Sequence, residues 1–514
     1  MNYLDRNAPP TRDERLGACS AFGGSVCQLL DGSKKGCLGG NGRAFAQSTG
    51  CQLMLSLAIA GTIPEAVVVF HGPVGCGSCL LSMPGLSRQN QAARGNADSI
   101  GQVWFSTNLN EQEVVSGGEA KLEATVREVD RRFRPQAIFL AGTCVPAVIG
   151  DDIDGVAQRL KGQIAAKLLP LHCAGFKTRI VATAYDVVYH AILRYLLTDE
   201  EETREPILDD EVKRLEYDAR KKRTVNLLNV ASMSRVDEVE LVRLLKALGL
   251  EVNIMPCFSP PSRFVKAKDA AVSISICATH DDYFVEHLKE LYGVPYILNT
   301  IPIGTDNTRK WLLDIADFFG IRREAEQLIA IEEAAVKKAL APIRAVLQGK
   351  RAFVCAGEIR AGSTAIMLGN DLGMEVVGVR AYHYDKYGDV LFDSLPDKDN
   401  LPVNVASSQP FEQVNLLTKL RPDVYLGHLG GNVWAAKLGI PVMPIFGPLN
   451  SYMGYKGTFE LASRLERLVR NPAFYTTLAT TARQPYKESW YDQDPFTFIR
   501  QSQALAVEPL ESKS

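Results

Sequence analysis

Several features that would place a chain in a functional class at once are missing from these 514 residues. No apolar run approaches the roughly 18 residues of a membrane-spanning helix, and the polar start is not typical of a secretory signal. With 57 Lys and Arg against 59 Asp and Glu, the chain lacks the excess of positive charge that would attract nucleic acid or an anionic membrane surface. We therefore expect a cytoplasmic protein with neither nucleic acid nor a membrane as a partner.

Two nucleotide-binding motifs are also missing. The chain contains no Gly-x4-Gly-Lys-Ser/Thr phosphate loop, and no Gly-x-Gly-x-x-Gly follows the first predicted strand. ATP hydrolysis and nicotinamide binding through these motifs are therefore excluded, so the low-potential electrons for any redox chemistry would come from another protein.

What is present is an alternation of short apolar runs with amphipathic stretches. Residues 66–70, 136–142 and 179–185 have the composition of buried strands, and a helix is predicted over 119–133. One long amphipathic helix is predicted over 306–349. Such alternation favours the α/β class with parallel, doubly wound sheets, whose ligands bind at loops after strand ends.

We expect three Rossmann-like domains from this alternation. They are predicted at 46–215, 216–348 and 349–485, with an irregular N-terminal arm over 1–45 and a C-terminal tail over 486–514. The charged run 198–214 would link the first two domains, and the aromatic tail would contact a partner.

Three widely spaced cysteines, Cys51, Cys76 and Cys144, each lie in a short stretch with glycine or proline. Cys144 follows a predicted strand and begins the next helix, a position that stabilises a thiolate. For any one cysteine, an inert buried thiol is the alternative. Three in similar settings favour a shared metal–sulfur centre. Because an iron–sulfur cluster takes at least four ligands, a second subunit would supply the others.

The three motifs, Cys51, HGPVGC ending at Cys76 and GTCVPAVIGDD around Cys144, resemble those of the nitrogenase component 1 superfamily. The likeness extends over about residues 45–475. It implies that these cysteines bind a P-cluster (8Fe-7S) shared with a beta-like, K-type subunit in an alpha2beta2 heterotetramer. It also implies a nitrogenase-reductase-like 4Fe-4S ATPase as the electron donor.

A second site is implied around Cys277, which ends a predicted strand and precedes a helix. In the family, a cysteine in this place binds the terminal iron of a carbide-containing iron–sulfur cofactor (8Fe-9S-C type). Arg360 in CAGEIRAGS matches an arginine that contacts this cofactor. The alternatives are a core thiol for Cys277 and a solvated or ion-paired loop arginine for Arg360.

The chain departs from the nitrogenase pattern at three places. The histidine that holds the far end of the cofactor aligns near Phe446, and no histidine occurs from 429 to 514. The histidine and glutamine beside the reactive face align near Tyr185 and Val181. We therefore expect a cofactor without molybdenum and homocitrate.

Two other histidines could take over the missing functions. His383 and His428 lie on loops of the third predicted domain and are candidates for substitute ligands or proton donors. We assign His383 and Tyr185 to catalysis and His428 to cofactor binding, although most lone histidines serve neither role.

These departures most resemble the alpha-like (D) catalytic subunit of methylthio-alkane reductases. That resemblance implies reductive cleavage of small thioethers to methanethiol and a small hydrocarbon. Two alternatives stay open: a non-catalytic scaffold for cofactor assembly, and a subunit of a tetrapyrrole (chlorophyllide-type) reductase, against which Cys277 argues. Cys19, Cys27 and Cys37 belong either to an extra centre or to a plain arm.

Overall fold

The computed structural model describes residues 3–47, 50–80, 83–96, 103–197, 211–298, 301–427, 429–447, 449–483 and 486–500. Its β-strands are β1 Phe22–Ser25, β2 Gly42–Arg43, β3 Ala66–His71, β4 Trp104–Ser106, β5 Ala137–Gly142, β6 Lys167–His172, β7 Thr224–Leu228, β8 Glu251–Met255, β9 Val272–Ser275, β10 Tyr296–Ile297, β11 Arg351–Ala356, β12 Glu375–Ala381, β13 Pro402–Val405, β14 Val424–Gly427, β15 Val442–Pro444 and β16 Ile499–Arg500.

The described α-helices fall mostly between these strands. They are α1 Arg12–Leu16, α2 Val26–Lys34, α3 Gln52–Ala60, α4 Met83–Ala93, α5 Glu111–Ser116, α6 Glu119–Phe133, α7 Cys144–Ile149, α8 Ile153–Leu160, α9 Thr183–Tyr195, α10 Glu211–Lys221, α11 Arg235–Ala247, α12 Pro261–Phe264, α13 Ala278–Tyr292, α14 Thr305–Phe319, α15 Arg322–Leu347, α16 Glu358–Asn370, α17 Asp389–Asp393, α18 Pro410–Leu420, α19 Leu429–Lys437, α20 Gly454–Arg470 and α21 Ala473–Thr481.

Three parallel sheets form the framework, as the α/β prediction requires. The strand orders are β4-β3-β5-β6, β10-β9-β7-β8 and β13-β12-β11-β14-β15, and every pair within these series is parallel. Crossover helices cover the faces, and the apolar strands are buried between them. The carboxyl ends of the strands then open onto the loops that carry the candidate site residues.

The N-terminal segment differs from the irregular arm that we expected. It contains α1, β1 and α2, and β1 pairs antiparallel with β13 at the edge of the third sheet. Thr11 and Glu14 cap α1 reciprocally, and Gly17 ends it with a left-handed φ of 61°. The segment thus belongs to the folded body, because its backbone completes a sheet edge that lies far away in sequence.

Two secondary-structure predictions were wrong. Residues 179–185 are not a strand: the last strand of the first sheet is β6, and α9 begins at Thr183. The single helix predicted over 306–349 is two helices, α14 and α15, separated at Gly320 with φ 67°. Apolar periodicity continues across this left-handed glycine, so the pattern did not reveal the break.

The C-terminal end of the described chain returns to the N-terminal segment. β16 pairs antiparallel with β2, and the Trp490 ring contacts the Phe411 ring edge-on at 4.8 Å. This part of the tail therefore packs on its own chain.

Most of the predicted linker, residues 198–210, lies outside the described residues. None of the described helices is both long enough and apolar enough to cross a membrane.

Candidate metal centres

The three predicted cluster cysteines lie at the ends of elements of the first sheet. Cys51 is the N-cap residue of α3, Cys76 lies in the 3-10 turn Val74–Leu80 after β3, and Cys144 is the first residue of α7 after β5. Since β3 and β5 are adjacent and parallel, their carboxyl ends bring the last two cysteines to one edge. None of the three forms a disulfide, and all three are partly exposed.

Gly175 joins two of these thiols. Its N–H donates to Cys144 Sγ at 3.2 Å, and a Cβ added at Gly175 would lie 2.9 Å from Cys51 Sγ and 3.6 Å from Cys144 Sγ. Burial raises the pKa of the Cys76 thiol, the hydrogen bond with Thr143 lowers it, and the nearby Cys144 and Cys51 raise it. The structure therefore brings Cys51 and Cys144 together around Gly175, which has no room for a side chain, with Cys76 nearby.

The three cysteines lie beside large exposed apolar side chains. Val74, Val148 and Phe176 are 58%, 74% and 59% exposed. Uncovered apolar surface of this kind is typical of a protein–protein interface.

Cys277 lies at the carboxyl end of the second sheet. It is the N-cap residue of α13, and its N–H donates to Ser275 Oγ at 2.9 Å. The Ser275 hydroxyl in turn donates to Asp281 Oδ2 at 2.6 Å, which fixes the first turn of the helix. Burial raises the pKa of the Cys277 thiol, an effect that the Arg360 guanidinium opposes. A metal bound to the sulfur would stabilise the thiolate in the same sense.

Arg360 lies in the first turn of α16 and not in a solvated loop. Its Nη2 donates to Ser232 Oγ at 3.1 Å and to Tyr452 Oη at 3.3 Å, and its guanidinium lies 4.1 Å from the centre of the Phe446 ring. The side chain is 7% exposed, and its Nε has no hydrogen-bond partner among the described residues. A buried cation with an unused donor, close to a thiol, fits an anionic iron–sulfur group.

Tyr185 lies on α9 and is stacked on a histidine that the sequence reasoning did not select. The rings of Tyr185 and His280 are parallel within 10° with centroids 4.0 Å apart. The Tyr185 hydroxyl accepts a hydrogen bond from the Ala231 N–H at 3.4 Å. The spacing Cys-x-x-His from Cys277 to His280 was the available signal for this residue. By itself this short string is a weak signal.

His383 is held by a buried carboxylate. Its Nε2 lies 3.1 Å from Glu358 Oε2, and the other oxygen of Glu358 accepts a hydrogen bond from Thr279. Burial lowers the pKa of His383, but the negative charge of Glu358 more than offsets this, so the pKa is raised. His383 thus lies next to the Cys277 site, and its imidazole is already paired with the Glu358 carboxylate.

Glu358, His383 and Asp385 also form a buried group whose ligand atoms all lie within 4.8 Å of one another. Asp385 accepts a hydrogen bond from the Arg12 guanidinium at 2.8 Å. A guanidinium in this position opposes a further cation, so we interpret the group as an ion-paired network. His428 lies outside the described residues.

The sequence comparisons place most of the chain in one family. Residues 51–470 match the family described as Nitrogenase component 1 type Oxidoreductase. The chain belongs to the nitrogenase component 1 family. The match begins at Cys51 and covers both groups of candidate ligands, so the family assignment and the two sites concern the same part of the chain.

Individual relatives of this family include two kinds of protein. The chain is 25% identical over 493 residues to the nitrogenase molybdenum-iron protein alpha chain of Methanosarcina barkeri, covering 85% of this chain and 87% of that one. It is 27% identical over 436 residues to the nitrogenase iron-molybdenum cofactor biosynthesis protein NifE of Nostoc sp., covering 83% and 84%. Identity alone does not separate the two kinds.

The structural comparison supports the fold. The solved structure of nitrogenase Cp1 at pH 5 aligns with a TM-score of 0.70 at 21% identity, covering 87% of this chain and 93% of that one. In this nitrogenase component 1 fold, Phe446 and Tyr452 occupy the space beside Arg360. Of the cysteines in the N-terminal segment, Cys19 is buried and its thiol donates to the Ala21 carbonyl at 3.3 Å, whereas Cys27 is exposed.

Proposed function

We propose that this chain is the catalytic, alpha-like subunit of a nitrogenase-like reductase that cleaves the C–S bond of methylthio-alkanes. The main support for this proposal is the set of side chains around Cys277. A nitrogenase-type cysteine and arginine are present there, but Phe446 lies against Arg360. A phenyl ring can neither ligate a metal nor hold homocitrate by hydrogen bonds, so the same framework would serve another substrate.

Cys51, Cys76 and Cys144 would hold one half of the cluster through which electrons enter. The exposed Val74 and Val148 would be covered by the K-type partner subunit, which supplies the remaining thiolates. A reductase with its own 4Fe-4S cluster and ATPase activity would dock on the assembled pair. The chain itself has no phosphate loop, so ATP hydrolysis belongs to that partner.

Cys277 and Arg360 would hold the carbide-containing iron–sulfur cofactor. When bound, this group would store electrons and supply them to the substrate. Arg360 would neutralise negative charge on it, with its guanidinium oriented by Ser232 and Tyr452. The aromatic rings of Tyr185, Phe446 and Tyr452 would exclude water and favour a small, uncharged thioether.

The reaction consumes two electrons and two protons. The carbon–sulfur bond breaks, the carbon takes one proton to give the hydrocarbon, and the sulfur takes the other to give methanethiol. Tyr185 and His383 are the proposed proton donors. Burial raises the pKa of the Tyr185 phenol, so it stays protonated, and the Glu358 carboxylate favours the protonated form of His383.

Turnover of the purified complex tests the proposal. The complex is incubated with its reductase, ATP and dithionite, and hydrocarbon release is measured from dimethyl sulfide and from ethylated thioethers. The expected result is methane from dimethyl sulfide and ethane from ethyl methyl sulfide, each with an equimolar amount of methanethiol. Metal analysis should find iron without molybdenum or vanadium at the Cys277 site. A clear heterometal there, or iron-loaded complex that forms no methanethiol, would refute the proposal.

A cofactor-assembly scaffold is the second candidate, favoured by the likeness to the NifE protein of Nostoc sp.. A scaffold would hold the same iron–sulfur group, release it to an acceptor protein and produce no hydrocarbon. The tetrapyrrole-reductase alternative predicts iron at the shared site only. Removing the thiol by Cys277→Ala would then leave the iron content unchanged.

A further inference from the structure

The N3 position of α13 carries a histidine, His280, whose side chain does not cap the helix. Helix α13 starts at Ala278, so Cys277 is its N-cap and His280 its N3 residue. In a capping box the N3 side chain turns back and accepts the N-cap N–H. Here that N–H already donates to Ser275 Oγ at 2.9 Å. The imidazole of His280 is therefore not used as a cap. It lies on the same side of the helix start as Cys277.

Nδ1 of His280 is the unused atom. It is shielded from solvent and has no hydrogen-bond partner among the described residues. Buried polar nitrogens are satisfied in nearly all native proteins, so such an atom indicates a partner that the protein alone does not supply. Arg360 Nε, in the same surroundings, is buried and unpartnered in the same way.

The ring is held in place by its neighbours. It is stacked on Tyr185 with centroids 4.0 Å apart, and the Tyr185 hydroxyl is fixed by the Ala231 N–H. The main-chain N–H of His280 donates to the Cys277 carbonyl at 2.9 Å. An imidazole held in this orientation can bind iron through an unprotonated nitrogen or form a hydrogen bond with a sulfide.

We propose that His280 is a second protein contact, through Nδ1, of the iron–sulfur group held by Cys277. The Cys-x-x-His pair would give the group two protein contacts from one helical turn, since Phe446 offers no ligand atom. This inference rests on the proposed function only in requiring an iron–sulfur group at Cys277. It does not depend on which substrate is reduced.

The test compares His280→Ala with His287→Gln in the intact complex. His287 is a matched control, because it lies on the same helix and its Nδ1 is already bonded to the Tyr283 carbonyl at 2.8 Å. The proteins are produced with 15N-labelled histidine. Iron content is measured, and 15N hyperfine coupling is recorded by pulsed electron paramagnetic resonance in the dithionite-reduced and the oxidised states.

We expect a histidine coupling in the wild type that disappears in His280→Ala and persists in His287→Gln. A strong coupling would identify an iron ligand and a weak one a hydrogen bond; both support the proposal. Affinity for the group should fall about tenfold or more in His280→Ala, as for other lost supports of metal sites. Unchanged coupling and iron content in His280→Ala would overturn it.

The two proposals fail separately. Wild-type complex that shows the coupling but cleaves no thioether would refute the proposed reaction and leave the His280 contact standing. Conversely, if the complex cleaves thioethers but His280→Ala leaves the 15N hyperfine coupling unaltered, only the proposed His280 contact is refuted. A wild-type complex without iron at Cys277 would overturn both.

Discussion

Arg12 donates to Asp282 at 2.7 Å, although the two residues are 270 positions apart. The same guanidinium also reaches Asp186 at 3.3 Å and Asp385 at 2.8 Å, and its side chain is fully buried. Asp186 lies on α9 and Asp282 lies on α13. Asp385 follows β12, which is one of the strands of the third sheet. One side chain of the N-terminal segment therefore joins the three sheet regions that surround the Cys277 site.

Replacing this side chain should destabilise the protein strongly. In Arg12→Met the shape is approximately kept, but three buried carboxylates lose their common cation, at a cost of about 3–5 kcal/mol. Thermal denaturation of the full chain measures the effect. The control is Lys35→Met, which breaks an exposed pair with Asp31 and should cost under about 1 kcal/mol. Similar shifts in the two variants would contradict a structural role for the network.

A methyl group at residue 175 should damage the shared cluster site. In Gly175→Ala the added Cβ would lie 2.8 Å from Cys51 Cβ and 2.9 Å from its Sγ, so Cys51 must move. We expect less iron at the shared site and slower electron transfer from the reductase, with little change in the rest of the fold. The control is Gly369→Ala on α16, where no atom lies within 4 Å of the added methyl. Equal iron content in both variants would argue against ligation by Cys51.

Lysine should not substitute for Arg360. The variant Arg360→Lys keeps the charge but cannot place one nitrogen between Ser232 and Tyr452 while lying over Phe446. The lost hydrogen bonds and cation–π contact are worth about 1 kcal/mol each, so retention of the iron–sulfur group should fall roughly tenfold or more. The measurement is the amount of iron that each variant loses during gel filtration. The control is Arg351→Lys, because the Arg351 side chain is half-exposed. No difference between the two would remove Arg360 from the cofactor site.

Stability should depend on pH through His190. Its Nδ1 lies 2.8 Å from the Tyr283 hydroxyl, and burial lowers its pKa to about 4. In the unfolded chain the imidazole binds its proton near pH 6.5, so the unfolded state binds more protons between these values. The free energy of unfolding therefore falls as the pH drops from about 6.5 to 4, by up to about 3 kcal/mol.

The variant His190→Gln cannot titrate in this range and should lose that contribution to the pH dependence. Melting temperatures at pH 7 and pH 5 give the comparison, with wild type and variant measured in parallel. An identical drop in both proteins would show that other groups cause it.

Much of the fold and one of the two sites could be predicted from local signals. The strand–helix alternation predicted the α/β class, and glycine-rich turns after apolar strands indicated where Cys76 and Cys144 lie. Both signals arise from a few neighbouring residues, because strand ends, turns and helix starts are determined by short-range backbone preferences. The predicted strand over 179–185 shows the limit of this reasoning. The same apolar composition suits a buried helix, and only packing against α13 and α3 decided for α9.

By itself, the sequence determined the class of protein, because the three cysteine motifs and Cys277 are candidate ligands whose local settings are encoded nearby in the chain. Only the tertiary structure decided their surroundings. It placed Gly175 against Cys51 and Cys144, it turned Tyr185 onto His280, and it carried Arg12 into the junction of three sheets. These contacts join residues 31 to 373 positions apart, and their free energy comes from burying charge and rings that no local pattern records.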